Sequence, residues 1–300
     1  MTTNRPLIFG EVLFDIFEDG ESVLGGAPFN VAWHLHGFGA NPLFVSRIGD
    51  DPLGWEVTQA MQEWGLDQAG LQVDTKHPTG RVTVALQAGQ PSFTIDEGVA
   101  YDYIDTEHID KLIRHHSPAL IYHGSLITRH QVSRSGLLHL RSSLDSPVFI
   151  DINLRAPWHS KEQAEGLVHG ASWLKLNEDE LQVFAAKEIS NRAAAEQAAR
   201  ELLLRYGLQF LVATMGEEGA FIVRPNEVYR SPPAPTEDLI DTVGAGDALS
   251  SVILLGILKG WDLGVTLQRA VAFASAVCEQ RGATSFDVDL YKRFLQQWNS

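Results

Sequence analysis

The sequence predicts one α/β domain over residues 1–300, a three-layer α/β/α sandwich with a mostly parallel central sheet and a small β-sheet lid. From residue 108 onward, short apolar segments typical of buried strands alternate with segments of helical periodicity, which favours parallel strands covered by helices on both faces. Residues 81–96 instead alternate apolar and polar side chains around a turn, which predicts a β-hairpin. We therefore expect lid hairpins inserted from about 16–24 and 71–104.

The first half of the chain contains the predicted elements that surround this lid. They are, in order, a buried strand over 6–17, a helix over 31–36, a strand over 42–48, a helix over 55–64 and hairpin strands over 81–87 and 92–96, joined by a turn at 88–91. The hairpin has no helix of its own to cover its face. We therefore expect it to form a lid or to pair with another subunit, giving a homodimer through the lid.

The second half of the chain has the more regular α/β pattern. Its predicted elements are strands over 119–123, 147–152, 173–176 and 210–214, helices over 131–143, 162–169, 177–186 and 192–206, a hairpin over 219–224 and 227–230, and final helices over 244–259, 265–280 and 290–298. Neither half contains a repeat, a low-complexity tract or a linker that would mark a second domain.

The composition is that of an ordinary globular protein with an acidic balance. Hydrophobic residues make up 44% and charged residues 20% of the chain, and 38 Asp and Glu against 23 Lys and Arg give a net charge of −15 with His neutral. This balance argues against duplex nucleic acid or an anionic membrane as a partner, because both require clustered Lys and Arg. An anionic substrate must then be held locally, by a helix N-terminus, a metal or a single Arg.

Cysteine content and the N-terminal segment bear on the compartment. Cys278 is the single cysteine, which excludes an internal disulfide and any cysteine-cluster metal site. The N-terminus runs into a strand-like segment without a signal-peptide pattern, and no apolar run reaches the roughly 20 residues of a membrane span. We expect a soluble, cytoplasmic protein.

The segment Asp241-Thr-Val-Gly-Ala-Gly-Asp247 is the most informative stretch of the chain. It is a loop of small residues that opens an apolar helical pattern, so N–H groups of the first turn are free and a ligand can approach the backbone closely. These N–H groups and the helix dipole favour an anion, typically a phosphate. An acid inside such a loop is out of place unless it handles a proton.

Polar residues also follow several predicted strands, where ligands bind in open parallel sheets. They are Asp15, Gly124-Ser125, Asp151 with Asn153 and Arg155, Asn177 with Glu180, and Thr214 with Gly216. Any one of them taken alone is more simply a turn former or helix cap, and Asn177 with Glu180 is a plausible capping pair. Five such positions at corresponding strand ends are harder to explain by capping alone.

Four motifs in order resemble the PfkB or ribokinase family of sugar kinases, over nearly the whole chain. They are Gly25-Gly-Ala-Pro-Phe-Asn30 followed by Gly39 and Gly49, Asn177-Glu-Asp-Glu180, Thr214-Met-Gly-Glu-Glu-Gly219, and Asp241-Thr-Val-Gly-Ala-Gly-Asp247. The resemblance implies the ribokinase-like fold and an ATP-dependent carbohydrate kinase.

The resemblance also implies a role for individual residues. Asp247 would be the general base that takes the proton of a sugar hydroxyl as it attacks the γ-phosphate of ATP, since a carboxylate is mostly ionised at neutral pH. The N–H groups of Gly244, Ala245 and Gly246 would stabilise the transferring phosphoryl group. The other implied contacts are Asp15, Gly26 and Asn30 to sugar hydroxyls, Thr214, Gly216 and Gly219 to the nucleotide, and Asn177 and Glu180 to Mg²⁺ and its waters.

Family members often hold a monovalent cation beside the anion-binding loop, and K⁺ is the candidate here. The matching positions, mostly through backbone carbonyls, are Asp241, Val243, Val277, Gln280 and Gly282.

The sugar itself is indicated by weaker signals. Tyr122-His-Gly-Ser-Leu126 and Asp151-Ile-Asn-Leu-Arg155 resemble the fructokinase and 2-keto-3-deoxygluconate kinase branches of the family. We favour fructose or a similar ketohexose, covered by Phe93 and Ile95 of the lid hairpin, which would exclude water and limit ATP hydrolysis. Arg155 is expected to contact a substrate carboxylate or a phosphate, or else to form a surface ion pair.

Other functions fit the sequence less well. A 2-keto-3-deoxygluconate kinase, and then a nucleoside kinase, are the alternatives within the same class. A non-catalytic sugar or nucleotide sensor on the same fold would not need Asp247. A dinucleotide-binding oxidoreductase would need Gly-x-Gly-x-x-Gly after the first strand, and this chain lacks it.

The remaining His, Trp and Cys residues are expected to be structural. The eleven His residues show no metal-ligand spacing. The expected surface or helix-flank positions are His34, His36, His115 and His116, and the expected core positions are Trp33, Trp55, Trp64, Trp173 and Cys278.

Overall fold

The computed structural model describes residues 5–87, 90–114, 117–235 and 239–299. The strands among them are Pro6–Phe9 (β1), Leu13–Phe17 (β2), Ser22–Gly25 (β3), Leu43–Gly49 (β4), Leu71–Asp74 (β5), Gly80–Gln87 (β6), Gln90–Ile95 (β7), Leu120–His123 (β8), Val148–Asp151 (β9), Trp173–Asn177 (β10), Phe210–Thr214 (β11), Ala220–Val223 (β12) and Val228–Ser231 (β13). The α-helices are Ala27–Gly37 (α1), Pro52–Trp64 (α2), Thr106–Ile113 (α3), Gln131–Ser143 (α4), Lys161–Val168 (α5), Glu178–Ala185 (α6), Arg192–Tyr206 (α7), Ala245–Lys259 (α8), Leu263–Val277 (α9) and Val288–Asn299 (α10).

A nine-stranded sheet forms the middle layer, in the order β13-β12-β11-β10-β9-β8-β1-β4-β5. The pairs are parallel except at one edge, where β12 runs antiparallel to β11 and β13. Two apolar cores cover its faces, and alternate residues of β1 enter them: Leu7 and Phe9 join one core, Ile8 the other. Helices α3–α7 pack in the first core and α1, α2 and α8–α10 in the second. The predicted three-layer sandwich is confirmed.

The predicted strand over 6–17 is two strands that belong to different sheets. Strand β1 lies in the main sheet, whereas β2 pairs with β3 and β6 in a second sheet. The chain changes sheet at Gly10, where an added β-carbon would lie 2.2 Å from Pro28 Cγ. Both strands carry buried apolar residues, so the hydrophobic pattern continues through the break and does not reveal it.

The second sheet, of order β3-β2-β6-β7, is the lid, and the predicted hairpin is confirmed as β6 and β7. The lid is smaller than the predicted insertion over 71–104, because β5 pairs with β4 in the main sheet. The segment Ala100–Tyr103 is a buried 3-10 turn, with Tyr101 fully buried. Turn residues 88 and 89 lie outside the described residues. The homodimer through the lid stays a prediction that sedimentation equilibrium can test.

Burial differs from expectation at two aromatic residues. Trp55, expected in the core, is 68% exposed on α2 because it faces away from the sheet. His34, expected at the surface, is fully buried, and its Nδ1 lies 2.9 Å from the Tyr291 hydroxyl. His115 and His116 lie outside the described residues. Within the described ranges, no helix combines the length and the apolar character needed to cross a membrane.

Candidate active site

The predicted anion-binding loop opens helix α8, with Gly244 as the N-cap and Ala245 as the first helical residue. This geometry leaves the N–H groups of Gly246 and Asp247 without an acceptor inside the helix. The Ala245 N–H donates to the Thr242 carbonyl over 3.3 Å, a long bond that a phosphate oxygen can replace. The start of α8 is therefore built to receive an anion.

Both the backbone conformation and the close packing at position 244 require a glycine. The φ of Gly244 is +82°, in the left-handed region, and an added β-carbon would lie 2.3 Å from Ala283 Cβ. No side chain fits there without moving the segment that packs on the loop.

We expect Gly244→Ala to destabilise the protein by about 2–5 kcal/mol, the sum of backbone strain and overpacking, and to lower turnover by displacing the loop. Gly260 at the other end of α8 is the matched control, since its φ is +66° and an added β-carbon meets nothing within 4 Å. Gly260→Ala should cost only the strain, about 1–2 kcal/mol, with turnover retained. Thermal unfolding and steady-state rates measure both, and equal losses in the two variants would contradict the loop's role.

Asp247 lies in the first turn of α8 and contacts a residue that is far from it in the sequence. Its Oδ2 accepts a hydrogen bond of 2.8 Å from Nδ2 of Asn30, which is on α1. The residue keeps some contact with solvent, but protein surrounds most of its carboxylate. This burial raises the pKa of Asp247 to about 7; the Asn30 hydrogen bond and Lys175 oppose the rise, while Asp151 adds to it.

A pKa near 7 gives the reaction a pH dependence of definite sign. The predicted general base Asp247 would accept a proton only when ionised, so kcat/KM is expected to fall as the pH drops below about 7 and to level off above it. An unperturbed Asp would place this fall near pH ~4. Rates measured with Mg-ATP from about pH 5 to about 9 distinguish the two cases.

Of the residues expected to bind sugar hydroxyls, Asn30 contacts Asp247, and Asp15 and the glycine pair lie near Asn30. A β-carbon added at Gly25 would be 3.8 Å from Asn30 Oδ1 and 4.0 Å from Asp15 Oδ2, so the glycine pair leaves room between these two groups. Gly26, with φ of +112°, packs against the backbone of Glu11. Burial raises the pKa of Asp15; Arg155 opposes the rise and Asp241 adds to it.

Three further residues are predicted to contact the substrate: Arg155, Phe93 and Ile95. Arg155 is exposed, and its charge lowers the pKa of Asp15 and of Asp247. Phe93 is 61% exposed on the lid, whereas Ile95 packs against the first core. The structure thus brings Arg155 within electrostatic reach of the pocket and leaves Phe93 in solvent.

A buried ion pair that the sequence analysis missed lies beneath the loop. Lys175 Nζ donates to Asp151 Oδ2 over 2.7 Å, and the Ser250 hydroxyl of α8 donates to the same oxygen over 2.7 Å. A β-carbon added at Gly246 would lie 3.4 Å from Lys175 Nζ, so the ammonium is close under the loop. The available signal was a lysine within the apolar strand Trp-Leu-Lys-Leu, because a charged residue at a buried position needs a partner.

A cleft of about 930 Å³ lies on the other side of the loop, and its size suits a nucleotide. Every residue expected at the nucleotide is on its wall, together with three residues of the loop (Thr242, Ala245 and Gly246) and the one cysteine. These lining residues are Asn177, Thr214, Gly216, Gly219, Thr242, Ala245, Gly246 and Cys278. The loop thus lines the cleft, whereas Asp15, Asn30 and Asp247 are not among the described residues that line it.

The proposed magnesium residues form a capping box at the start of α6. Asn177 Oδ1 accepts the Glu180 N–H over 2.9 Å, and the Glu180 carboxylate accepts the N–H groups of Asn177 and Leu154 over 2.9 and 2.7 Å. Both carboxylate oxygens are thus engaged. The described residues contain no converging group of three His, Cys, Asp or Glu side chains. This donor set fits Mg²⁺ that is carried by nucleotide phosphates and reached through water.

Asp241 holds the loop in shape. Its two carboxylate oxygens accept the N–H groups of Val243 and Gly282 over 2.9 and 3.1 Å. Val277 and Gln280, at the end of α9, are joined by a bond of 3.2 Å from the Gln280 N–H to the Val277 carbonyl. A carboxylate and carbonyl oxygens are suitable ligands for a hard cation. The K⁺ site at these positions stays a prediction.

The fold and the site define a class of protein: an α/β/α phosphotransferase with a nucleotide-sized cleft, an anion-binding loop and an acid beside a polar pocket. The pattern of the pfkB family carbohydrate kinases matches residues 11–289, so the chain belongs to this family. The protein is an ATP-dependent carbohydrate kinase of ribokinase-like fold.

Among the proteins to which the chain is similar are one named curated relative and two named solved structures. Fructokinase-2 of Oryza sativa subsp. japonica is 26% identical over 277 residues, 85% of this chain and 80% of that protein. Vibrio cholerae O395 fructokinase, solved with fructose, ADP and a calcium ion, has a TM-score of 0.78 at 23% identity, covering 97% of this chain and 98% of that one. Thermotoga maritima 2-dehydro-3-deoxygluconokinase has a TM-score of 0.83 at 17% identity, covering 97% and 99%.

Proposed function

We propose that this kinase transfers the γ-phosphate of ATP to a hydroxyl of fructose or a similar ketohexose, with Asp247 as the general base. The observation that carries the proposal is the position of Asp247, in the first turn of α8 and hydrogen-bonded to Asn30. A hydroxyl held in this pocket meets a proton acceptor on one side and the anion-binding N–H groups on the other. Such an arrangement suits in-line phosphoryl transfer.

The acceptor side of the pocket offers groups that match sugar hydroxyls. Asn30 uses Nδ2 to bind Asp247, while its Oδ1 is buried without a hydrogen-bond partner among the described residues. A buried acceptor of this kind is satisfied when a hydroxyl donates to it. Asp15 would supply a second acceptor, since Asp15 Oδ2 and Asn30 Oδ1 lie 4.0 and 3.8 Å from the position of a β-carbon added at Gly25. Together they would orient one hydroxyl toward Asp247.

The phosphoryl side would rely on fixed positive charge and N–H groups. The N–H groups at the start of α8 would face the transferring group, with the Lys175 ammonium beneath them. Magnesium, when bound with the nucleotide, neutralises phosphate charge; Asn177 and Glu180 would contact its waters. Thr214 and Gly216 would lie along the nucleotide, and K⁺ near Asp241 would support the loop.

A sugar acid such as 2-keto-3-deoxygluconate is the alternative substrate, ahead of a nucleoside. Arg155 favours it, since a guanidinium within reach of Asp15 could pair with a carboxylate. Two observations favour fructose. The similar protein from Oryza sativa is named a fructokinase, and the carboxylates of Asp15 and Asp247 would repel a sugar acid.

An acceptor panel tests the proposal. Purified protein with Mg-ATP should release ADP fastest with fructose, and fructose and 2-keto-3-deoxygluconate competing in one assay should give mainly a fructose phosphate. A reversed preference would transfer the assignment to the sugar acid. If neither sugar and no nucleoside causes release of ADP, the result would contradict a small-molecule kinase and favour a sensor.

A further inference from the structure

Three buried polar atoms next to the acceptor pocket have no hydrogen-bond partner among the described residues. They are Oε2 of Glu11, the hydroxyl of Tyr101 and Nη1 of Arg129. Glu11 is 4% exposed, Tyr101 is fully buried and the Arg129 side chain is 3% exposed. Buried polar groups are rarely left unpaired, so three together indicate a ligand that supplies the missing bonds.

The three side chains form one cluster. The Cζ atom of Arg129 lies 4.9 Å from the centre of the Tyr101 ring and 4.9 Å from the centre of the Trp158 ring. Glu11 and Arg129 each shift the pKa of Tyr101 and of one another. Tyr101 also lies against the backbone next to Glu11, since a β-carbon added at Gly80 would be 2.5 Å from Tyr101 Cε1 and 3.0 Å from the Val12 carbonyl. The three side chains are therefore neighbours.

The same cluster borders the proposed base. The Glu11 backbone is the surface against which Gly26 packs, since a β-carbon added there would lie 2.7 Å from the Glu11 carbonyl. Burial raises the pKa of Glu11 to about 7; Arg155 and Arg129 oppose the rise, and Asp247 adds to it. Glu11 thus interacts electrostatically with two groups at the pocket, Asp247 and Arg155. It also interacts with the other two members of the cluster.

The charge of Arg129 is already balanced within the protein. Its Nε and Nη2 donate to the two oxygens of Asp102 over 2.7 and 2.9 Å, and Nη2 also donates to the Asp96 carbonyl over 2.5 Å. Nη1 is the one guanidinium nitrogen without an acceptor among the described residues. With Asp102 as its counter-ion, Arg129 has no net charge left for a substrate carboxylate, and Glu11 would repel one.

We propose that Glu11, Tyr101 and Arg129 form an inner subsite that binds hydroxyls of a neutral sugar, and that Glu11 is the residue that discriminates against sugar acids. The proposal rests on the sugar kinase function proposed above and deepens it by naming the substrate class. A hydroxyl can donate to Glu11 and accept from Nη1 or Tyr101, whereas a carboxylate can only accept.

Glu11→Gln tests the discrimination, because it keeps the volume of the side chain and removes its charge. The sugar KM for fructose should rise on the order of 10-fold to 100-fold, as for a lost charged hydrogen bond. The ratio of kcat/KM for fructose to that for 2-keto-3-deoxygluconate should fall on the order of 10-fold or more. An unchanged ratio would overturn the role of Glu11.

Tyr101→Phe separates a ligand-binding role from a structural one. Removing an unpaired buried hydroxyl should leave the Tm unchanged or higher, while fructose affinity falls on the order of 10-fold. Tyr103→Phe, whose ring stacks on His77 at 3.7 Å, is the matched control and should leave fructose affinity unchanged. A lower Tm with unchanged fructose affinity in Tyr101→Phe would overturn the subsite.

Calorimetric titration of fructose without ATP keeps this proposal separate from the kinase proposal. Binding by the wild type that weakens in Glu11→Gln and Tyr101→Phe supports the subsite even if phosphoryl transfer to fructose fails. Binding that is equal in all three proteins, or absent from the wild type, overturns the subsite even if turnover with another sugar establishes the kinase.

Discussion

Asp247→Asn should lower kcat on the order of 10²-fold to 10⁴-fold, the contribution of a positioned general base. The amide keeps the shape of the side chain and can still accept the hydrogen bond from Asn30 Nδ2, which is 2.8 Å long in the wild type. It cannot take a proton from the attacking hydroxyl. ATP affinity should change little, because the N–H groups at the start of α8 are retained.

A stability measurement shows that this loss is chemical. The pKa of Asp247 is raised to about 7 in the folded protein, against ~4 in the unfolded chain, so this group costs stability progressively as the pH rises from ~4 to about 7 and by a constant amount above that. Asn lacks this titration, so the stability of the variant relative to the wild type should increase from pH ~4 to pH ~7 and stay constant at higher pH. The acid limb of the pH–rate profile should also disappear.

Asp241→Asn is the matched control for the loop, since Asp241 binds N–H groups of Val243 and Gly282 and is not placed at the hydroxyl. Its kcat should fall much less than that of Asp247→Asn. Substantial turnover in Asp247→Asn, or an equal loss in both variants, would show that Asp247 is not the base.

Lys175→Met should cost about 3–5 kcal/mol of stability, because it leaves the Asp151 carboxylate buried without its cation. Burial alone would lower the pKa of Lys175, but the Asp151 carboxylate, 2.7 Å away, outweighs burial and raises it. The ammonium is therefore charged in the folded protein. Chemical denaturation or thermal unfolding measures the loss.

A second readout connects Lys175 with the chemistry. Its positive charge lowers the pKa of Asp247, so Lys175→Met should move the acid limb of kcat/KM to higher pH. Kinetic profiles of the wild type and the variant check the direction. A shift to lower pH would contradict the placement of the ammonium beneath the loop.

Two variants serve as controls for the ion pair. Lys187→Met breaks the exposed pair with Glu201, which is 2.9 Å long, and should cost no more than about 1 kcal/mol. Combining Lys175→Met with Asp151→Asn removes both charges and should recover part of the lost stability. Equal effects of Lys175→Met and Lys187→Met would mean that burial of the Lys175 pair is unimportant.

Local patterns were sufficient for much of the fold. Alternation of strands and helices predicted the layers, and the alternating side chains of residues 81–96 predicted the hairpin. These patterns succeed because periodicity of 2 or 3.6 residues reports which face of an element is buried. The same patterns failed at residues 6–17, since β1 and β2 are both buried and only Gly10 marks the change of sheet.

The candidate site divides in the same way. By itself, the sequence determined the anion-binding loop, the acid within it and the family, because small residues at a helix start define backbone N–H groups whatever surrounds them. Only the tertiary structure decided that Asn30 binds Asp247, that Lys175 lies beneath the loop, and that Glu11, Tyr101 and Arg129 meet beside the pocket. Those groups come from distant segments, and their meeting depends on how two sheets and the helices pack, which no local pattern encodes.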